Sequence, residues 1–193
     1  MTSILKADTI QDTDGNNIIN ESGNTITVGA SGDTTNIIGT LNKDGVAVAN
    51  TPAFQGYYSS SYQTVSDNTD TKLTIDTEEF DTDSAFDTST YRFTVPSGKA
   101  GKYFFYTKFY TYSSNDTGRQ AKIYIYKNGS ATSPTDNQYR LTQDSIVGGA
   151  LYTSYIYDAS VGDYFEAYGN FNVNSGTDNR LYKASFGGYK IIT

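Results

Sequence analysis

The side chains that could do chemistry in this chain are carboxylates, because their usual companions are missing. The 193 residues contain no His and no Cys. That removes Ser-His-Asp and Cys-His nucleophiles, His-ligated zinc, thiolate chemistry and the commonest general base. No Gly-rich phosphate loop of the Walker or Rossmann kind is present. A pair of glutamates flanking a glycosidic bond is the enzymatic option that remains. The candidates are Glu78, Glu79 and Glu166. Glu78 and Glu79 are adjacent, so a strand would send them to opposite sides. A Glu78–Glu166 pair across strands is one reading; solvent-facing strand carboxylates are the simpler one.

Two acidic groups invite a metal. Asp76, Glu78, Asp81, Asp83 and Asp87 offer oxygen ligands that would suit Ca2+. They lack the glycine and terminal bidentate Glu of an EF-hand loop, and turn aspartates in water are the alternative. Asp12-Thr13-Asp14-Gly15-Asn16 begins like such a loop and fails after three ligands.

Sugar recognition needs no catalytic group. A Tyr ring stacks on a pyranose face while Asn and Asp bond its hydroxyls. Loops at Tyr112–Asp116, Asp136–Tyr139 and Asn170–Asn179 carry those types. Tyr112, Asn115, Asp116 and Tyr139 are the candidates singled out, against the alternative of loops that merely face water.

The elements that must position these residues are strands. Apolar residues make up 36% of the chain, and 18 of its aromatic residues are Tyr. The shortfall against the usual ~45–50% is filled by Thr, Ser, Asn, Asp and Gly, which favour turns and strand surfaces over helices. From Ala53 onward, strand-like runs recur at Ala53–Tyr58, Thr71–Ile75, Tyr91–Val95, Lys102–Tyr112, Gln120–Lys127, Gly149–Tyr157, Tyr164–Phe171 and Arg180–Ile192. Turn signals such as Ser97-Gly98, Asn128-Gly129 and Val161-Gly162-Asp163 separate them. The pattern predicts an all-β sandwich or barrel with almost no helix. In Lys102–Tyr112, Tyr103, Phe105, Thr107 and Phe109 share one face; Phe104, Tyr106, Lys108 and Tyr110 share the other. Both faces are aromatic, so the second is expected to meet a neighbouring subunit or a ligand rather than water alone.

Residues 1–50 differ. They hold no aromatic residue, and short pieces such as Ile18-Ile19 and Ile26-Thr27-Val28 alternate with turns. Such a segment cannot build a core alone, which leaves an intertwined β-rich stalk or an arm gripping another protein. Asn50-Thr51-Pro52 marks the boundary with a head at residues 53–193. The net charge of −7 argues against a nucleic-acid partner and against an anionic membrane surface. No run approaches a membrane span, and the amino end, polar again by Lys6, does not read as a secretory signal.

The aromatic spacing over residues 53–193 resembles the C1q/TNF-like trimeric jelly roll. Ile75 stands at that family's first Phe position, and Asp81, Phe86, Phe93 and Gly101-x-Tyr103-x-Phe105 follow in order. Ile75 and Thr107 replace aromatic residues, and seven residues rather than five separate Phe93 from Gly101. Tyr126-Lys127-Asn128-Gly129, Val161-Gly162-Asp163-Tyr164-Phe165 and Ser185-Phe186-Gly187-Gly188-Tyr189 look like later strands of the same family. The resemblance implies a homotrimer, with Phe86, Phe93, Gly101, Tyr103, Phe105, Phe186, Gly188 and Tyr189 as its core and trimer motif; no cofactor is expected, with Ca2+ as the alternative. The amino-terminal Ile4–Ile10, Asp14-Gly15 and Ser31–Ile37 pieces are similar to leaders of marine bacteriophage structural proteins, notably of cyanophages. That implies a non-enzymatic virion surface protein: a fibre or knob adhering to host glycans, with residues 1–50 held by another virion protein. A capsid decoration protein is the alternative. A polysaccharide-degrading tail enzyme and a cellular pattern receptor lie further off.

Overall fold

The computed structural model describes residues 38–39, 41–43, 46–47, 49–113, 118–132, 137–140, 149–173 and 179–191. The chain divides into two units, Met1–Ala47 and Val48–Thr193. In the first, β1 (Asn42–Lys43) pairs antiparallel with β2 (Val46–Ala47). Most of the stalk or arm expected over residues 1–50, including the Asp12–Asn16 group, lies outside the described residues.

The second unit consists of strands, with no helix among the described residues. In order they are β3 (Ala53–Tyr57), β4 (Tyr62–Thr64), β5 (Thr71–Lys72), β6 (Thr77–Asp81), β7 (Phe86–Asp87), β8 (Arg92–Thr94), β9 (Gly101–Tyr112), β10 (Gly118–Lys127), β11 (Ser130–Ala131), β12 (Asn137–Arg140), β13 (Ala150–Ala159), β14 (Tyr164–Val173) and β15 (Arg180–Lys190). A six-stranded sheet runs β13-β9-β15-β3-β6, with β4 joined to β15; a seven-stranded sheet runs β11-β10-β14-β8-β7, with β12 joined to β10 and β5 to β14. The result is the jelly-roll sandwich that the sequence predicts.

Alternation sets which side chains fill the gap between the sheets. Tyr103, Phe105, Thr107 and Phe109 are fully buried, while Lys108, Tyr110 and Tyr112 on the other face are exposed. The Phe54 ring lies between Phe86, at 4.9 Å, and Phe93, at 4.8 Å. Phe105 stacks on Phe165 across the sandwich at 4.3 Å. Burying rings of this size is the dominant favourable contribution to the fold. Asp81 explains one part of the spacing: its carboxylate accepts from the Phe86 backbone N–H at 2.7 Å and from Asp83 N–H at 3.2 Å. The turn this fixes returns Phe86 to the core. Thr107, at an aromatic position of the resemblance, donates to the Ser185 carbonyl at 2.8 Å. That satisfies a buried acceptor beside the β15 bulge, where pairing with β9 shifts between Tyr182 and Ser185.

Five strands escape the sequence pattern: β4, β6, β7, β11 and β12. In β6 the pairing with β3 shifts between Gln55 and Gly56, so Phe80 and Glu78 are paired while Glu79 is skipped. The bulge destroys the two-residue alternation, and Glu78 and Glu79 are both exposed rather than opposed. At Asn128-Gly129 the forecast turn is present, with φ of 52° and 78°, joining Lys127 to Ser130 in a two-residue hairpin.

Candidate functional site

The outer face of the six-stranded sheet is where the second aromatic set of β9 lies. Register places Ile156, Phe104 and Tyr189 in one row across β13, β9 and β15, and Tyr106, Gly187, Gln55 and Phe80 in the next. Phe104 contacts Tyr189 at 5.5 Å between ring centroids and Tyr106 at 6.1 Å. Tyr106 donates to Gln55 Oε1 at 2.9 Å, and its ring crosses β15 because residue 187 is Gly: a Cβ there would sit 2.5 Å from the Tyr106 hydroxyl oxygen. Burial first, and neighbouring Tyr152 and Tyr189 second, push the Tyr106 hydroxyl pKa above its ordinary value. This band has no charged side chain, yet Ile156 is 52% exposed, Phe80 47% and Tyr189 41%.

One step along the strands the face changes character. A groove of about 710 Å3 opens between the turn after β3 and strands β9 and β15. Tyr57, Tyr110 and Tyr182 supply rings, Ser59, Ser60 and Ser61 hydroxyls, and Lys108 and Lys183 charge. Tyr182 is wedged between Tyr62, at 5.1 Å, and Tyr112, at 5.7 Å. Lys183 holds a left-handed φ of 50° at the β15 bulge; a non-glycine residue there is strained, and the bulge re-aims its side chain. A smaller hollow of about 350 Å3 continues along Tyr110, Tyr112, Tyr182 and Lys183.

The outer face of the seven-stranded sheet is closed on itself. Glu166 is 2% exposed, and its Oε1 accepts from Lys72 Nζ at 2.7 Å, Arg92 Nη2 at 2.9 Å and Arg92 Nε at 3.0 Å. Arg92 covers the Tyr164 ring at 3.8 Å. Tyr126 stacks on Tyr168 at 3.8 Å and donates to Asp70, which also accepts from Asn170. Burial and then the Asp70 charge raise the Tyr126 hydroxyl pKa to about 12.

These positions correct the carboxylate readings. Glu166 lies on β14 of one sheet and Glu78 on β6 of the other, so they do not form a pair across strands. Neither is Glu166 a solvent-facing carboxylate, since two cations cover it. Four of the five acids around β6 are occupied locally, and the fifth, Glu78, is exposed. For Asp76, burial would raise the pKa, but hydrogen bonds from Ser59 and Thr77 outweigh it and leave the value below ordinary. Asp83 pairs with Lys99 at 3.2 Å, and Asp87 accepts from Ser89 and Thr90, which holds it at about 2. Among the described residues no three acids are placed to share an ion.

Of the motif residues, Phe86, Phe93, Tyr103, Phe105 and Phe186 form the interior of the single subunit. Gly188 admits the Phe105 ring, which would meet a Cβ at 2.3 Å, and Gly101 adopts a φ of 142°. Tyr189 alone of the set faces outward on the aromatic band. Tyr112 is the end of β9 rather than a loop residue, and Asn170 is on β14, 3% exposed. Asn115 and Asp116 lie outside the described residues; Tyr139 pairs with Ala121 on β12, and its side chain is outside them. Sequence reasoning missed the Glu166 ion pairs and the Lys108–Lys183 groove. A carboxylate in the middle of an aromatic strand was the available sign of the first; the second had none.

No family model and no curated protein sequence matches the chain. Its structure is similar to the globular domain of zebrafish complement 1qA protein, with a TM-score of 0.51 and 16% identity, over 73% of this chain and 98% of that one. The likeness shows the fold: a C1q-like jelly roll of two antiparallel sheets.

Proposed function

We propose that this chain is the subunit of a non-enzymatic homotrimer, displayed on a bacteriophage virion as a fibre or knob whose head adheres to host-surface glycans. Residues 1–50 attach the head to another virion protein. The single observation that carries the assembly is the uncharged outer band of the six-stranded sheet, where Ile156, Phe80 and Tyr189 are left between 41% and 52% exposed. Contiguous apolar faces of this kind mark association surfaces, and a closed ring of three covers them without leaving an open end. The C1q-like fold supports that arrangement, and the leader resemblance supports the virion. The neutralised Glu166 supports a binding role over hydrolysis, because the carboxylate pair an inverting or retaining glycosidase needs is not assembled around it. Three copies on one axis give avidity for repeated glycans from sites that are individually weak.

Light scattering on the purified chain tests the assembly. A mass three times the 21.1 kDa of the subunit is the expected result, and a stable species of 21.1 kDa at micromolar concentration overturns it. Labelled antibody on intact virions tests the placement: decoration at the tail is expected, and label over capsomers would replace the fibre with a capsid decoration protein.

A further inference from the structure

We infer that the groove beside Lys108 and Lys183 binds an anionic glycan, a chain bearing uronate or sulfate groups. This rests on the adhesion reading and gives it a ligand class and a place on a sheet face instead of the loops. Three features converge there. Tyr57, Tyr110 and Tyr182 present rings in a groove of about 710 Å3, within the ~300–1,000 Å3 range of ligand sites. Tyr182 is fixed between Tyr62 and Tyr112, so little ordering is needed when a sugar stacks on it. Hydroxyls of the Ser60-Ser61 rim can bond sugar oxygens.

The lysines select the charge. The chain as a whole carries −7, yet among the described residues no carboxylate lines this groove. Among the described residues neither Lys108 nor Lys183 has an ion-pair partner, whereas Lys72, Lys99 and Lys127 each do. Asp76, which is not a lining residue, accepts from the Ser59 N–H and hydroxyl at 2.8 Å and 2.9 Å. Two like charges in one groove repel each other until an anion joins them. A neutral sugar would not relieve that repulsion. A nucleic acid would meet a chain of net charge −7 and only two of the many cations its backbone requires. The left-handed Lys183 at the bulge is the kind of strained position that proteins keep where a side chain must be aimed.

The test is calorimetric titration of the full chain with a galacturonate hexamer, a sulfated galactan oligosaccharide and a neutral malto-hexamer. Binding of at least one acidic probe, weakening as salt rises, is expected, with no binding of the neutral one; which acidic probe binds identifies the anion. Lys108→Gln and Lys183→Asn should each weaken binding about fivefold, and Tyr110→Ala about tenfold. Asn is chosen because it tolerates the left-handed backbone. Thermal melts superimposable on the parent chain show that each variant is folded. Equal binding of the neutral probe, affinity unchanged in both lysine variants, or no binding of either acidic probe overturns the inference. A trimer of the double lysine variant that still attaches fully to host cells sinks the groove alone. Conversely, a 21.1 kDa species that binds the acidic probe through these residues sinks the trimer and leaves the groove standing.

Discussion

The two sheets of this sandwich treat their outer faces in opposite ways. On the seven-stranded sheet, the charged and phenolic groups described above are answered within the subunit: Glu166 by Lys72 and Arg92, Tyr126 and the Asn170 amide N–H by Asp70, Arg92 by the Tyr164 ring. On the six-stranded sheet, apolar and aromatic groups stay exposed, and Lys108 and Lys183 have no carboxylate paired with them among the described residues. Both sheets share one core, so the difference is not a demand of folding. A face that completes itself is finished as a surface, whereas one that leaves rings and cations open is built for something outside the chain.

The contrast breaks most sharply through Glu166. Lys72→Met with Arg92→Met would strand a carboxylate that is 2% exposed, costing about 3–5 kcal/mol in urea unfolding. A loss under about 1 kcal/mol would show that water, not the two cations, compensates this group. Adjacent glycines of β15 then separate the core from the outer face. Gly188→Ala drives a Cβ to 2.3 Å from Phe105 and should cost about 1–3 kcal/mol of subunit stability. Gly187→Ala meets the far end of Tyr106 instead, and its expected effect is loss of the Tyr106–Gln55 bond and weaker assembly with a smaller change in unfolding. Ile156→Ser with Phe80→Ser should alter subunit stability by no more than about 0.5 kcal/mol while the mass in light scattering falls toward one subunit. A trimer that survives this pair would move the contact to another face.

Acid supplies the smallest effect. Hydrogen bonds from Lys127 and then Asn128 hold Asp163 at about 2, and those from Ser89 and Thr90 hold Asp87 at about 2, against an ordinary 3.8. A carboxylate with a depressed folded pKa stabilises the fold above its unfolded value and loses that contribution as pH falls through the folded one. Thermal melts should therefore be flat above pH 3.8 and decline modestly from there toward about pH 2, with part of the decline missing in Asp163→Asn. Asp87 is exposed and Asp163 keeps 18% of its side chain in contact with solvent, so screening makes the slope shallow.

The sequence made legible whatever depends on near neighbours. Alternation in β9 put Tyr103, Phe105 and Phe109 on one face and Tyr110 on the other, because a strand's period is local, and the first face is the buried one. Asn128-Gly129 announced its hairpin for the same reason. What stayed hidden needed distance or irregularity. Glu166 meets cations 94 and 74 residues away, which no spacing rule links. The groove joins Tyr57, Lys108 and Lys183 only through the β3-β15-β9 order of the sheet. Glu78 and Glu79 defeated the alternation rule at a bulge.

One consequence follows from where the tyrosines lie. The chain has no Trp, so its ultraviolet emission comes from Tyr, and Tyr57, Tyr110, Tyr182 and Tyr189 all belong to the same outer surface. Anything that settles on that surface alters the polarity and quenching those rings experience. The molecule thus has an intrinsic optical reporter for occupancy, and a titration can be followed in a fluorimeter with no dye attached.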